Sequence, residues 1–235
     1  MKLNKLLGVA VSAGMLFSFI YGVTSVQYKV FPYKQIMALK NIVSPKPKYS
    51  NYFYHKKSFF EQNGARNYDV VFIGDSITDG AEWQDLFPSI RIANRGINGD
   101  RTDGILNRLD SIYSTSADRA FIMVGVNDFG RGVRVDEVFE NYRTIVNKLS
   151  EQGMKVYIQS TIYTSERLGR RNIKITALNK KLELLAKQKD SVTYIDLNAG
   201  LAKDSLLNPM YSRDGLHLNG KGYAVWKGII GQYVK

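Results

Sequence analysis

The sequence predicts an α/β fold: a three-layer α/β/α arrangement around a parallel sheet of about five strands. Short apolar runs alternate with longer segments whose apolar residues recur every three or four positions. Several of those runs stop abruptly in polar, glycine-rich turns. Such runs read as strands buried on both faces, and strands alternating with helices imply parallel pairing through crossovers. The turns fall beyond the carboxyl ends of the strands, where open α/β sheets place their sites.

In chain order, Lys2 and Lys5 precede residues 6–26, which are uncharged and largely apolar. That stretch has about the length a helix needs to cross a bilayer and reads as a signal peptide or an uncleaved signal-anchor. No Ala-x-Ala site follows it, Val23-Thr24-Ser25 is a weak cleavage site, and no cysteine is present for a lipid anchor. A retained anchor over residues 1–26 is the favoured reading. Lys2 and Lys5 on one side face Lys29, Lys34 and Lys40 on the other, so the positive-inside rule gives no orientation. A short amino tail ahead of a long domain resembles an export signal, which places the domain outside the cytoplasm, at the cell surface or in a periplasm.

Residues 27–67 form a basic, Lys- and Tyr-rich linker. Between Tyr28 and Tyr68, eight Lys or Arg residues stand against one acid, Glu61, a net +7 within a chain whose formal charge is +12. No nucleic-acid motif accompanies this charge, so the expected partner is a membrane surface or an anionic polymer. A solvated basic surface is the plainer alternative. Ser44-Pro45-Lys46-Pro47 reads as a stiff turn, and residues 51–62 as a short helix packing on the domain that follows.

Residues 68–235 form that domain. Strands are expected at 70–73, 90–93, 120–124, 155–159 and 192–197, and helices at 102–113, 135–152, 173–189 and 221–233. In the second helix Val135, Val138, Phe139, Tyr142, Ile145, Val146 and Leu149 form one apolar stripe, and Gly153 follows as a stop. The absence of cysteine removes disulfides and thiolate chemistry, and the two histidines, His55 and His217, build no His-rich metal site. No cofactor or metal is expected.

Four segments carry reactive groups in polar turns: Gly74-Asp75-Ser76, the stretch from Asn94 to Thr102 with Gly96 and Gly99, Gly125-Val126-Asn127-Asp128, and Asp214-Gly215-Leu216-His217. Each has a plainer reading by itself: a helix cap at Asp75 or Ser76, a turn at Asn127, a loop cap and a satisfied histidine at Asp214 and His217. Together they supply a serine, a histidine, an aspartate, a glycine amide and an asparagine amide, the parts needed for acyl transfer by a serine nucleophile.

These four ordered blocks resemble those of the SGNH hydrolases, the GDSL esterase/lipase family, from about Asp69 to the C-terminus. The Asn-x-Gly-Ile-x-Gly-Asp pattern and the Asp-Gly-Leu-His-Leu-Asn ending further resemble the platelet-activating-factor acetylhydrolase-like and carbohydrate acetylesterase-like branch. The resemblance implies a flavodoxin-like SGNH hydrolase fold and a metal-independent serine esterase. It implies Ser76 as nucleophile, His217 as base and Asp214 as its partner. The oxyanion hole falls to the Ser76 and Gly99 backbone amides and the Asn127 side chain. No Gly-x-Ser-x-Gly elbow is present, which disfavours the ordinary α/β-hydrolase fold. His55 is a competing base and Gly96 a competing glycine. Asp79, Asp100 and Asp128 read as braces of their turns. Trp83, Arg101 and Arg131 are candidates for the pocket wall, with packing or solvation the plainer reading.

The expected activity is hydrolysis of a short-chain ester, an O-acetyl group on a cell-envelope polysaccharide. Alternatives are a lysophospholipase or thioesterase with a longer acyl channel, an acyltransferase to a sugar hydroxyl, and a membrane-tethered binding module.

Overall fold

A computed structural model of the chain describes residues 2–37, 48–64 and 66–235, with side chains from residue 11 onward. Two compact units divide it, Met1–Lys48 and Tyr49–Lys235. The first contains helix α1, Lys2–Tyr28, whose Phe17, Phe19 and Ile20 side chains are exposed. Among the described residues no helix is long and apolar enough to cross a membrane. The side chains of residues 6–10 of the expected anchor, and the expected turn at residues 44–47, lie outside the described residues.

The second unit begins with α2, Asn51–Asn63, where Ser50 Oγ caps the helix by accepting from Phe53 N–H at 3.1 Å. One side of α2 buries Phe53 and Phe60 against Ile97. The helix expected over 51–62 therefore packs on the unit that carries the sheet.

The sheet follows. Strand β1, Val70–Gly74, leads into the short helix α3, Ser76–Asp79. After β2, Ile92–Gly96, comes α4, Thr102–Leu106. Strand β3, Arg119–Met123, leads into α5, Val126–Gly130, and then α6, Val135–Glu151. Strand β4, Lys155–Gln159, precedes α7, Asn172–Ala186, and β5, Val192–Ile195, precedes the last helix, α8, Gly220–Val234. All five strands pair in parallel in the order β2-β1-β3-β4-β5.

Side chains alternate across the sheet, as the strand's period of two requires. Val71, Ile73, Ala120, Ile122, Val156 and Ile158 face the layer that includes Tyr142, Ile145 and Leu149 of α6 and Leu178 and Leu182 of α7. Val70, Phe72, Phe121, Met123 and Tyr157 face the layer of Trp83 and of Trp226, Ile230 and Val234 from α8. Two apolar layers around one sheet make the three-layer fold.

Two elements differ most from their sequence expectation, while β5 ends at Ile195 and α7 at Ala186, two and three residues early. The helix expected over 102–113 is broken into Thr102–Leu106 and Asp110–Tyr113. At the break the Arg108 amide bonds three residues back, to Ile105 O at 3.1 Å, while its side chain turns inward to Asp100. Strand β2 also begins later than expected and runs through Asn94-Arg95-Gly96. Arg95 is buried there beneath the Phe60 and Tyr68 rings, its guanidinium 4.6 Å and 5.7 Å from their centroids. Cation–π contact and bonds to the Ser111 and Gly64 carbonyls let a charged residue occupy a strand position.

Candidate active site

In the order β2-β1-β3-β4-β5, winding reverses between β1 and β3, and the carboxyl ends of strands at such a point open a crevice. Gly74 lies in register between Gly96 and Met123 at that edge. A Cβ on Gly74 would stand 2.2 Å from Thr78 Oγ1 and 2.4 Å from the Met123 carbonyl oxygen, so only glycine lets α3 turn back this tightly. Asp75 then caps α3, its Oδ1 accepting from Ile77 N–H at 3.0 Å. Ser76 is the first residue of the helix, and its backbone N–H has no intrahelical acceptor.

Facing it, His217 Nε2 lies 2.9 Å from Ser76 Oγ, and His217 Nδ1 lies 2.6 Å from Asp214 Oδ2. The other Asp214 oxygen accepts from the His217 and Leu216 amides at 2.8 and 2.9 Å and from Ser212 Oγ at 3.2 Å. Desolvation alone would raise the Asp214 carboxyl, but the bonds from the His217 ring and these amides outweigh it and hold the group well below the usual carboxylate range. Gly215, at φ +80°, lets the loop fold over Ser165, whose amide donates to the Gly215 carbonyl at 2.8 Å. The His217 and Asp214 side chains keep 46% and 51% of their surface, so the site is open to solvent. Such a relay can deprotonate the serine hydroxyl and stabilise the imidazolium formed.

The other wall is made by the turns after β2 and β3. Gly99, at φ +75°, sits in a turn closed by Asp100 N–H donating to Ile97 O at 3.0 Å. Asn127 Nδ2 donates to the Asp100 carbonyl at 3.0 Å, tying the two turns together. Below them Asp100 Oδ2 meets Arg108 Nε at 2.8 Å, both side chains fully buried, and Arg108 Nη2 donates to Arg95 O at 2.8 Å. Thr102 Oγ1 donates to Asp128 Oδ1 at 2.6 Å.

Three carboxyls lie in this floor. Burial raises Asp100, with Arg108 opposing. Asp128 is pushed up to about 6 by burial, against its bonds from Thr102. Asp75 is pushed up to about 7, first by burial and, against the Ile77 amide, by the Asp100 and Asp128 charges.

The structure therefore joins Ser76, His217 and Asp214 in one line of hydrogen bonds and sets Gly99 and Asn127 on adjacent turns. His55 is exposed on α2, and the partner of Ser76 Oγ is His217. Gly96 N–H donates to Asn94 Oδ1 at 2.9 Å, and its Cβ direction is filled by Asp79 N at 2.2 Å. Asp79 receives Tyr52 OH at 2.7 Å and Lys56 Nζ at 2.8 Å, bracing α2. Trp83 is buried in a stack on Phe72, 3.7 Å between centroids, while Arg101 pairs with Asp103 at 2.9 Å and Arg131 is exposed. Among the described residues no group of three His, Cys, Asp or Glu side chains could hold a metal ion.

Sequence reasoning passed over Arg108, Asn94 and Ser212. Arg108 lies inside a stretch read as one helix, where a basic residue signals solvent. Ser212 and Asn94 acquire their roles from partners two residues away, in a loop and at the end of β2, whose paths only the fold defines.

A GDSL-like lipase/acylhydrolase family model matches residues 72–225. The N-acylneuraminate cytidylyltransferase of Streptococcus agalactiae serotype V is 27% identical over 165 residues, covering 68% of this chain and 38% of that protein. The chain thus spans well under half the length of those relatives. Platelet-activating factor acetylhydrolase IB subunit alpha2 of Homo sapiens is 26% identical over 163 residues, covering 66% of this chain and 71% of that protein. Among solved structures, a catalytic mutant of an acetylxylan esterase from Geobacillus stearothermophilus shares the fold, with a TM-score of 0.60, 19% identity, and coverage of 73% of this chain and 94% of that one.

Proposed function

The chain belongs to the GDSL-like lipase/acylhydrolase family, and we propose that it is an ester hydrolase that cleaves short-chain acyl esters, O-acetyl groups above all, through an acyl-Ser76 intermediate. The observation that carries this reading is the relay from Asp214 through His217 to Ser76, at 2.6 and 2.9 Å.

Each step uses a group already in place. Ser76 Oγ attacks the ester carbonyl carbon while His217 Nε2 takes its proton. Asp214 keeps the Nδ1 proton in place and stabilises the imidazolium. The negative oxygen of the tetrahedral intermediate is held by the Ser76 and Gly99 amides and by Asn127 Nδ2. Collapse breaks the bond to the alcohol oxygen, which receives the proton from His217. Water, deprotonated by the same ring, then attacks the acyl-serine and releases the acid, returning Ser76 to its hydroxyl form.

The exposed His217 and Asp214 side chains support a substrate that does not need to be engulfed, such as an acetylated sugar on a cell-envelope polysaccharide. The uncharged segment 6–26 is proposed as the export or anchoring element that brings the hydrolase to such a substrate.

The test is hydrolysis of p-nitrophenyl acetate against longer p-nitrophenyl esters by the full chain, with Ser76→Ala and His217→Ala as controls. Turnover of the acetate that falls by about 10⁴-fold or more in both variants is expected. A preference for long acyl chains would move the substrate to lipids. Transfer to an added sugar outrunning hydrolysis would make the protein an acyltransferase. Fractionation of cells, with and without residues 1–26, tests the anchor: an unchanged distribution would reject it.

A further inference from the structure

One connection lies between the helix that carries Asn127 and the loop that carries His217. It is the 3-10 turn Glu166–Arg171. Just before it, the Ser165 amide holds the Gly215 carbonyl at 2.8 Å, and within it Arg167 Nη2 donates to the Asp214 carbonyl at 2.9 Å. At its far end the Arg171 guanidinium packs on α5, 3.0 Å from where a Gly130 Cβ would stand. An ester seated between Asn127 and His217 therefore has this turn beside it.

The turn is basic, with Arg167, Arg170 and Arg171 against Glu166, and its two neighbours add Arg131 and Arg213. Of these five, Arg131, Arg167, Arg170 and Arg213 are exposed. Among the described residues none of the five is in an ion pair, whereas Arg91, Arg101, Arg108 and Arg143 each hold a carboxylate. Unpaired guanidinium groups beside a crevice raise the local concentration of anions, and their planar fork fits carboxylate and phosphate oxygens.

We propose that this arginine-rich turn is an anion-recognising wall of the substrate site, so that the preferred ester carries a carboxylate or a phosphate close to the acyl group. The proposal rests on the reading of Ser76 as the nucleophile, and it adds the charge of the alcohol portion. Arg167 and Arg171 meet the anion; Arg131, Arg170 and Arg213 supply the surrounding field.

Aryl acetates that differ only in charge test it: methyl 4-acetoxybenzoate, 4-acetoxybenzoate, 4-acetoxyphenyl phosphate and the 4-acetoxyphenyl trimethylammonium ion. After correction for each ester's reactivity towards hydroxide, kcat/KM for the anions is expected to exceed that of the neutral ester by about tenfold at low salt. The cation is expected to be the poorest. The preference should shrink as salt rises to about 0.5 M, where screening acts within a few ångströms. The carboxylate and phosphate arms show which oxyanion is preferred. In Arg167→Gln/Arg171→Gln the anion-to-neutral ratio should fall towards one. Should Arg171→Gln disturb its packing on α5, the exposed pair Arg131→Gln/Arg213→Gln should lower the ratio at low salt without removing it, and an unchanged ratio would overturn the part given to the surrounding field.

A wild-type ratio near one, independent of salt, would overturn the proposal while Ser76-dependent turnover left the esterase reading standing. Calorimetric binding of 4-acetoxybenzoate and its methyl ester to Ser76→Ala separates the two readings. Tighter binding of the anion without any ester turnover by the wild type would uphold the wall and reject the esterase. Equal binding of both would reject the wall.

Discussion

Asp75 stands one residue before Ser76, the proposed nucleophile, fully buried, with its carboxyl pushed up to about 7. An aspartate in an unfolded chain titrates near ~3.9, so between the two values the folded protein keeps a proton that the unfolded chain has released. Stability contributed at this position is therefore lost as pH rises through that window, and levels off above about pH 7. Asp128, pushed up to about 6, acts in the same direction, whereas Asp214, held low, supplies stability that disappears only as pH falls below the ordinary carboxylate range. Asp75→Asn keeps an acceptor for the Ile77 amide and removes the ionisation. Thermal melts should show Tm declining less steeply from pH 5 to pH 8 in this variant than in the wild type. Equal slopes would show that folded Asp75 is already ionised throughout that window. At the opposite wall, Asn127→Ala removes one proposed oxyanion donor, and kcat for p-nitrophenyl acetate should fall by about 100- to 1,000-fold with KM little changed. A change in KM alone would assign Asn127 to substrate binding.

Among the elements, the contact of α3 with the end of β2 sets how close the Ser76 turn comes to the Gly99 turn. Gly96 allows it: an added Cβ would meet Asp79 N at 2.2 Å and Asp79 Cα at 2.5 Å, backbone atoms that cannot rotate away. Gly96→Ala should destabilise the unit by about 3 kcal/mol, seen as a lower urea midpoint with an unchanged slope. Activity should fall further than stability explains, because α3 carries Ser76 directly. Full activity at an unchanged midpoint would mean that the two elements can separate without cost. The break between the two short helices after β2 has a related origin. Arg108 leaves the helical surface because its guanidinium can satisfy Asp100 and the Arg95 carbonyl together, and a buried charge needs such partners.

For the whole molecule, the informative boundary is the one at Tyr49. Tyr49 stacks on Phe53 at 4.2 Å between centroids, and Phe53 and Phe60 cover Ile97, two residues before Gly99. A fragment beginning at Tyr49 should unfold in one transition and retain esterase activity. A fragment beginning at residue 68 lacks α2 and uncovers Ile97 and Arg95, and it should lose several kcal/mol on the scale of large core deletions. Equal midpoints for the two fragments would show that α2 adds nothing to the fold. The position of α2 also explains why residues 27–67 read as a linker: its aromatic side is short, and the lysines and tyrosines around it mask the two buried phenylalanines.

The sequence by itself determined the class of the fold, the order of its strands and helices, and the residues that make up the reactive turns. These are local properties. A strand buried on both faces is apolar throughout, an amphipathic helix repeats its stripe every three or four residues, and a turn at a strand end needs Gly, Asp, Asn or Ser within a few positions. Tertiary structure decided what depends on partners far apart in the chain. Ser76 and His217, 141 positions apart, meet at 2.9 Å because β1 and the loop before α8 end at the same edge of the sheet. Arg95 and Arg108 are buried because aromatic rings, a carboxylate and carbonyls from distant elements replace their water. No periodicity encodes such a partner. A charged residue signals solvent until the fold supplies something else to hold it.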